Sequence, residues 1–225
     1  MDLVKSYAFF KPETCGDRIH IIGCGAVGST VAENLVRFGL TNITLYDFDT
    51  VEAHNIANQM FRTIDIGKPK TQALAEILTE INPELEGKMR VEAEGYHGQR
   101  LSGYVFLCVD NIDLRREIAT ANKGNPYIKA MFDFRIRLED AQHYAADWKN
   151  PKMVNNFLAT MQFSHEEAKK ETQVSACNVE LSVAPTVRQI CALGVSNFIN
   201  FVKSGGATIK KMILASAFDF DIQAF

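Results

Sequence analysis

The chain has 225 residues, 47% hydrophobic and 23% charged, an ordinary balance for a soluble domain and enough to bury a full core. Its formal net charge of −3 gives no global electrostatic case for nucleic acid or an anionic membrane, and no apolar run approaches the ~20 residues that cross a bilayer. The opening MDLVKSYAFFKPE lacks the apolar stretch of a signal peptide, and the five cysteines form no CxxC pair, so a reducing, cytoplasmic setting without a zinc ribbon or disulfide framework is expected.

After a short lead-in, Lys11 to Gly16 reads as a turn. An apolar strand, Ile19, Ile21 and Ile22, then runs into Gly23-Cys24-Gly25-Ala26-Val27-Gly28. Val31, Ala32, Leu35, Val36 and Phe38 follow at helical spacing, with Gly39 as the stop. A second apolar run, Ile43 to Tyr46, ends in Asp47. Strand, glycine turn, helix, strand and acid in this order make a dinucleotide-fold nucleotide site. Gly23 allows the tight turn, Gly25 lets backbone approach a phosphate, and Gly28 lets helix pack on strand. The helix start, at Ala26 and Val27, offers free N–H groups and partial positive charge to an anion.

Val51 to Ile66 is polar and irregular and concentrates His54, Asn55, Asn58, Gln59 and Arg62. Lys70 to Ile81 has one apolar face, Ala73, Leu74, Ile77, Leu78 and Ile81, and stops at Asn82-Pro83, which predicts a helix. Met89 to Glu94 alternates like a strand. Tyr104 to Val109 is continuously apolar, as a parallel strand covered on both faces is, and ends in Asp110-Asn111. A helix over Ile112 to Asn122 and a strand over Tyr127 to Phe132 complete a β-α-β-α-β-β-α-β order. Past Asp133 the pattern changes: Phe134 to Leu138 and Ala141 to Ala145 read as two strands pairing antiparallel at the sheet edge. Asp147 to Thr172 reads as a solvated helix or loop, Pro185 to Val202 as a long helix, and Met212 to Phe220 as a last strand. The expected fold is a single α/β domain, Rossmann-like and doubly wound, with a mainly parallel sheet and antiparallel strands at its C-terminal edge.

The residues beyond the glycine turn are unusual for a dehydrogenase. Asp47-Phe48-Asp49 leads to Val51-Glu52, then His54-Asn55-Ile56-Ala57-Asn58-Gln59, then Asp65-Ile66-Gly67-Lys68-Pro69-Lys70, and later Cys108-Val109-Asp110-Asn111. The segment SACNVELSVAPTVRQICALGVSNFINFVKSG, which contains Cys177, supplies a cysteine, an Ala-Pro step and a long helix. In this order and spacing the series resembles the ThiF/MoeB/HesA family, adenylyltransferases related to ubiquitin-activating enzymes, over roughly Ile19 to Gly205.

The resemblance implies an enzyme that uses ATP and Mg²⁺ to join the C-terminal carboxylate of a small ubiquitin-like or sulfur-carrier protein to AMP, releasing pyrophosphate. It implies that Asp47 accepts hydrogen bonds from the ribose hydroxyls, that Asn55 and Gln59 contact the triphosphate, that Lys70 neutralises it, and that Asp110 holds the metal. Gly23, Gly25, Ala26, Val27, Gly28, Asp49, Asn58 and Asn111 complete the implied nucleotide site. Plainer readings stand beside these: a turn cap at Asp47, loop hydrogen-bonders at Asn55 and Gln59, a surface lysine at Lys70. A lysine in a first helical turn opposes the dipole, which favours a partner of negative charge there. The family pattern carries arginine where this chain has Asn58, and Arg62 or Lys68 is expected to restore that charge. Cys177 stands where some relatives carry a cysteine that bonds covalently to the activated partner, whereas Cys24, Cys108 and Cys191 read as small packing residues.

The same resemblance implies a homodimer, a nucleotide-binding half over residues 1–133, and an acceptor-binding and C-terminal half over 134–225. The acceptor is expected to end in Gly-Gly and to be recognised by Tyr144 to Thr172. Competing readings are a relative acting on a peptide or a tRNA-linked carboxylate, a non-catalytic binding module of the same fold, and an NAD-dependent dehydrogenase.

Overall fold

A computed structural model describes residues 1–174 and 181–225 of the chain. One eight-stranded sheet organises it, in the order β3-β2-β1-β4-β5-β6-β7-β8. The strands are β1 (Ile19–Ile22), β2 (Ile43–Tyr46), β3 (Arg90–Glu92), β4 (Gly103–Leu107), β5 (Ile128–Ile136), β6 (Asp140–Asp147), β7 (Met212–Ser216) and β8 (Asp221–Ala224). From β3 to β5 neighbouring strands are parallel; β5 to β8 are antiparallel. The helices are α1 (Ala26–Arg37), α2 (Lys70–Ile81), α3 (Ile112–Ala121), α4 (Pro151–Ala159), α5 (His165–Glu171) and α6 (Ala184–Lys203).

The pleat sends alternate strand residues into two cores. Ile19, Ile21, Ile43, Leu45, Phe106, Phe132 and Phe134 meet Val31 and Leu35 of α1, Leu74 and Leu78 of α2, and Val187, Ile190 and Phe198 of α6. Ile22, Tyr46, Val105, Leu107 and Met131 face the other way, toward Ile112 and Ile118 of α3 and Val154 and Phe157 of α4. Every residue of β1, β2 and β4 is buried, which is why these strands read as unbroken apolar runs.

Three expectations are corrected. Tyr127 to Phe132 and Phe134 to Leu138 are not separate strands: β5 is one nine-residue strand that carries Asp133 through its middle. The buried Asp133 carboxylate is met by Arg115 at 2.9 Å and Arg135 at 2.7 Å, so an acid that looked like a strand end sits inside the sheet. The 147–172 stretch holds two helices, α4 and α5, the first burying Val154 and Phe157 beside Trp148. The last strand is a hairpin, β7 and β8, turning through Phe220 at a φ of 59°.

Candidate active site

The carboxyl ends of the parallel strands open into a cleft of about 1240 Å³. At its head Gly23 turns the chain with a φ of 96°, its N–H donating to the Tyr46 carbonyl at 2.8 Å. A side chain at Gly28 would stand 1.8 Å from the Gly23 carbonyl oxygen, so only glycine lets α1 start this close to β1. A Cβ on Gly25 would meet nothing within 4 Å. Gly25, Ala26 and Val27 thus present backbone to the open cleft.

Asp47 is tied to this turn. Its Oδ2 accepts the Cys24 N–H at 2.6 Å and its Oδ1 accepts the Asp49 N–H at 2.9 Å. Burial pushes the Asp47 carboxyl up, against the pull of those two N–H groups. The acid therefore braces the glycine turn while facing the cleft. The Asp49 Oδ2 holds the Lys70 ammonium at 2.8 Å. Lys70, at the first position of α2, is buried, with its charge directed toward the cleft wall.

The polar loop of residues 53–59 forms another wall. Asn55 is buried and spends its Oδ1 on the Glu52 N–H at 2.9 Å, fixing the single 3-10 turn Ala53–Ala57. Asn58 donates from Nδ2 to the Ser182 hydroxyl. Among the described residues, the buried Gln59 Oε1 has no hydrogen-bond partner. A buried polar atom without a partner costs on the order of 1–3 kcal/mol, so a ligand that satisfied this amide would gain from doing so. Asp110 stands exposed beyond β4 at the rim of the same cleft.

Gly23, Gly25, Ala26, Val27, Asp47, Asp49, Asn55, Asn58, Gln59, Lys70 and Asp110 all line this one cleft. Other expected residues do not. Gly28 acts through packing. Asn111 is the cap of α3, its Oδ1 accepting from Asp113 and Leu114 N–H groups, and is not part of the cleft wall. Arg62 is a correction to the expected compensating charge. Its guanidinium is taken by Asp65 at 3.0 Å and Glu80 at 2.7 Å, away from the cleft. Lys68 is taken the same way, by Asp65 and by Glu76 at 2.5 Å. Cys177 lies outside the described residues. Cys24, Cys108 and Cys191 are buried, and burial pushes each thiol up, Cys108 beyond the range of a reactive thiolate.

The cleft has a second half that the motifs did not mark. Asp133 and Arg135 alternate along β5, where period-two spacing puts their side chains on one face, and Arg137 follows immediately after the strand ends at Ile136. Arg115 bridges Asp133 and the Phe134 carbonyl, while Arg135 bonds Asp133 and the Thr160 hydroxyl and lies 4.4 Å from the Tyr144 ring centroid. Arg137 spans the cleft to Glu171 of α5 at 2.6 Å, with both side chains exposed. The alternation Asp133-x-Arg135-x-Arg137 was the available signal, hidden by reading Asp133 as a strand end.

The residues fit a nucleoside triphosphate: a backbone cradle at Gly25 and a lysine for phosphate, and a braced acid and the Gln59 Oε1 as acceptors for hydroxyl or amino donors, share one wall system. For a metal the fit is narrower. No group of three or more His, Cys, Asp or Glu is poised to hold one among the described residues, so the cleft has no ready-made cage, and Asp110 stands at its rim as an exposed carboxylate. That suits an ion that keeps its waters and is shared with phosphate oxygens.

The ThiF family profile matches residues 16–225. Ubiquitin-like modifier-activating enzyme 5 of Dictyostelium discoideum is 35% identical over 117 residues, covering 45% of this chain and 31% of that protein. The protein of the same name from Drosophila persimilis is 30% identical over 141 residues, covering 54% and 35%. This chain thus spans about a third of the length of these curated relatives. Among solved structures, MccB of E. coli with ATP superposes with a TM-score of 0.74 at 16% identity, covering 95% of this chain and 65% of that one. PaaA superposes at 0.66 and 17% identity, with the same coverages. These likenesses establish a shared fold.

Proposed function

The chain belongs to the ThiF family, and from that premise we propose that it is an adenylyltransferase that activates a carboxylate with ATP. The acceptor we propose is the C-terminal tail of a small ubiquitin-like or sulfur-carrier protein ending in Gly-Gly, handled by a cytoplasmic homodimer. The observation that carries the reading is the convergence of Asp47, Lys70, the Asn55–Gln59 loop and Asp110 on the single cleft headed by the glycine turn. An acceptor carboxylate oxygen bonds to the α-phosphorus as the bond from that phosphorus to the bridging oxygen breaks, and pyrophosphate leaves with the electron pair.

Two anions must meet for this to happen, so the task of the protein is placement and charge. Asp47 takes the ribose hydroxyls on its free lone pairs. Backbone N–H groups at the start of α1 hold phosphate oxygens, and Lys70 moves its ammonium from Asp49 onto the triphosphate. Gln59 donates from its Nε2 to the same group, leaving its Oε1 to accept from a ligand hydroxyl or amino group. Asp110 would hold Mg²⁺, which would supply charge neutralisation at the phosphates when bound. The apolar and arginine-lined second half, with Tyr144, Phe163 and Arg135, receives the acceptor tail.

The test is ATP–pyrophosphate exchange with a Gly-Gly-ended acceptor. Wild-type chain exchanges label, and Lys70→Ala lowers the rate by about 100-fold or more, in the range expected when a transition-state charge is removed. Exchange that survives Lys70→Ala undiminished overturns the assignment. A non-catalytic ThiF-fold module is the second reading, favoured by Asn58 standing where the family carries arginine and bonding Ser182 instead. ATP binding with no exchange for any tail would select it.

A further inference from the structure

We propose that the protein carries a second anion site, for a small oxyanion of the phosphate class, between Arg18, Arg90, Arg100 and the hydroxyl of Tyr46. These residues line a cavity of about 240 Å³, separate from the nucleotide cleft in all but Tyr46. The cavity lies on the sheet face away from α1 and α2. His20, Thr44 and Arg90 stand in register across β1, β2 and β3, with Tyr46 beside Glu92, and the 99–102 segment closes over them.

Two independent observations point to an anion. The first is charge. Three guanidiniums face one carboxylate, Glu92, and none of the three makes an ion pair among the described residues. Arg18 is anchored by donating to the Ile43 and Lys88 carbonyls at 3.2 Å each, which holds its fork in place. Burial, and then the neighbouring Arg90, both push its pKa down, the mark of a cation whose repulsion is not relieved. One anchored guanidinium, Arg18, with the exposed Arg90 and Arg100 beside it, offers the forked donors that grip phosphate oxygens in pairs.

The second observation is a buried hydroxyl with a proton to give. The Ser102 N–H donates to His20 Nε2 at 3.3 Å, so Nε2 is the acceptor nitrogen of that ring. His20 is buried and its pKa is held down to about 4, chiefly by burial, so the ring is neutral and its proton sits on Nδ1. Nδ1 lies 2.8 Å from the Tyr46 Oη and donates to it. The Tyr46 side chain, 3% exposed, therefore keeps its own O–H unspent, at the wall of a cavity rich in arginine. A relay running Ser102 to His20 to Tyr46 ends in a donor, which is what an oxyanion needs and a cation does not.

Calorimetric titration of the full chain with inorganic phosphate and with pyrophosphate tests this. Wild type and Lys70→Ala are expected to share one saturable binding event, because that event does not use the nucleotide cleft. The double variant R90A/R100A, both positions exposed and free to change without disturbing the core, is expected to weaken it at least tenfold. Tyr46→Phe, which keeps the ring, is expected to weaken it several-fold. Binding that disappears with Lys70→Ala, that persists unchanged in R90A/R100A, or that is absent from wild type at millimolar anion overturns the proposal.

Discussion

Arg62 and Lys70 are both basic residues beside the same polar loop, and only their neighbours decide what each can do. Lys70 reaches the cleft because it begins α2, where Pro69 fixes the chain and Asp49 faces it across 2.8 Å. Arg62 sits three residues before Asp65, whose side chain is wholly buried, and closes back on it. Arg62→Ala is accordingly expected to leave ATP–pyrophosphate exchange within about twofold of wild type. It should lower stability by about 1–2 kcal/mol in urea unfolding, because Asp65 loses its principal donor and remains buried with Lys68. A large loss of exchange without loss of stability would return Arg62 to the site. The pH dependence follows from Asp65. Its pKa falls from 3.8 to about 2, first because of the Arg62 hydrogen bond, so its contribution is complete above pH 3.8 and is lost as pH falls toward 2. Arg62→Ala diminishes that acid-range component, since the residue-62 N–H and Lys68 still hold Asp65. The motif residues were legible because nucleotide chemistry demands those side chains at those spacings. The direction Arg62 points was not, since it depends on a carboxylate whose burial no local pattern announces.

Elements were legible in proportion to how completely local signals agreed. For α2, Pro69 before it, an apolar stripe through Leu74 and Leu78, and Asn82-Pro83 after it give the same limits, Lys70–Ile81, that the structure has. β5 failed because its polar residues serve tertiary partners: Asp133 is inside the sheet for Arg115 and Arg135, and Phe134 continues the strand beyond it. α4 was hidden because its buried face is only Val154 and Phe157 within a polar segment. The packing of α6 on β5 and β6 turns on Gly194, a position that helix periodicity alone does not single out. A Cβ there would stand 2.2 Å from Phe134 Cε1 and 3.1 Å from His143 Nδ1. Gly194→Ala is expected to cost about 1–3 kcal/mol by forcing Phe134 off its rotamer or the helix off the sheet, despite the better helix propensity of alanine. Chemical denaturation checks it; a more stable variant would show that the sheet yields more easily than close packing allows.

Across the whole molecule, two neutral histidines link folding to acidity. His20, on β1, faces the 99–102 segment. His143 lies under α6, its Nδ1 toward the Asp133 carbonyl at 3.1 Å and its Nε2 toward Asn197 Nδ2 at 3.1 Å. Burial is the first cause holding each ring down to about 4, from an ordinary 6.5. The charges around them act in opposite senses: Arg18 and Arg90 push His20 further down, whereas Asp133 pulls His143 partly back. In the unfolded chain both rings take a proton near pH 6.5, while in the native protein neither does so until about pH 4. Stability is thus fully present above pH 6.5 and falls as pH drops through 6.5 to 4, by up to about 1.4 kcal/mol per pH unit for each histidine. The Asp65 component begins only below that window, so the two effects separate on the pH axis. Melting temperature against pH should therefore slope downward between pH 6.5 and 4 with an uptake of close to two protons on unfolding. His143→Gln, which can keep both an N–H donor and an acceptor, should halve that slope while costing some stability at neutral pH. A slope unchanged in His143→Gln would mean that this ring is already protonated in the folded protein, and that Asp133 rather than burial sets its charge.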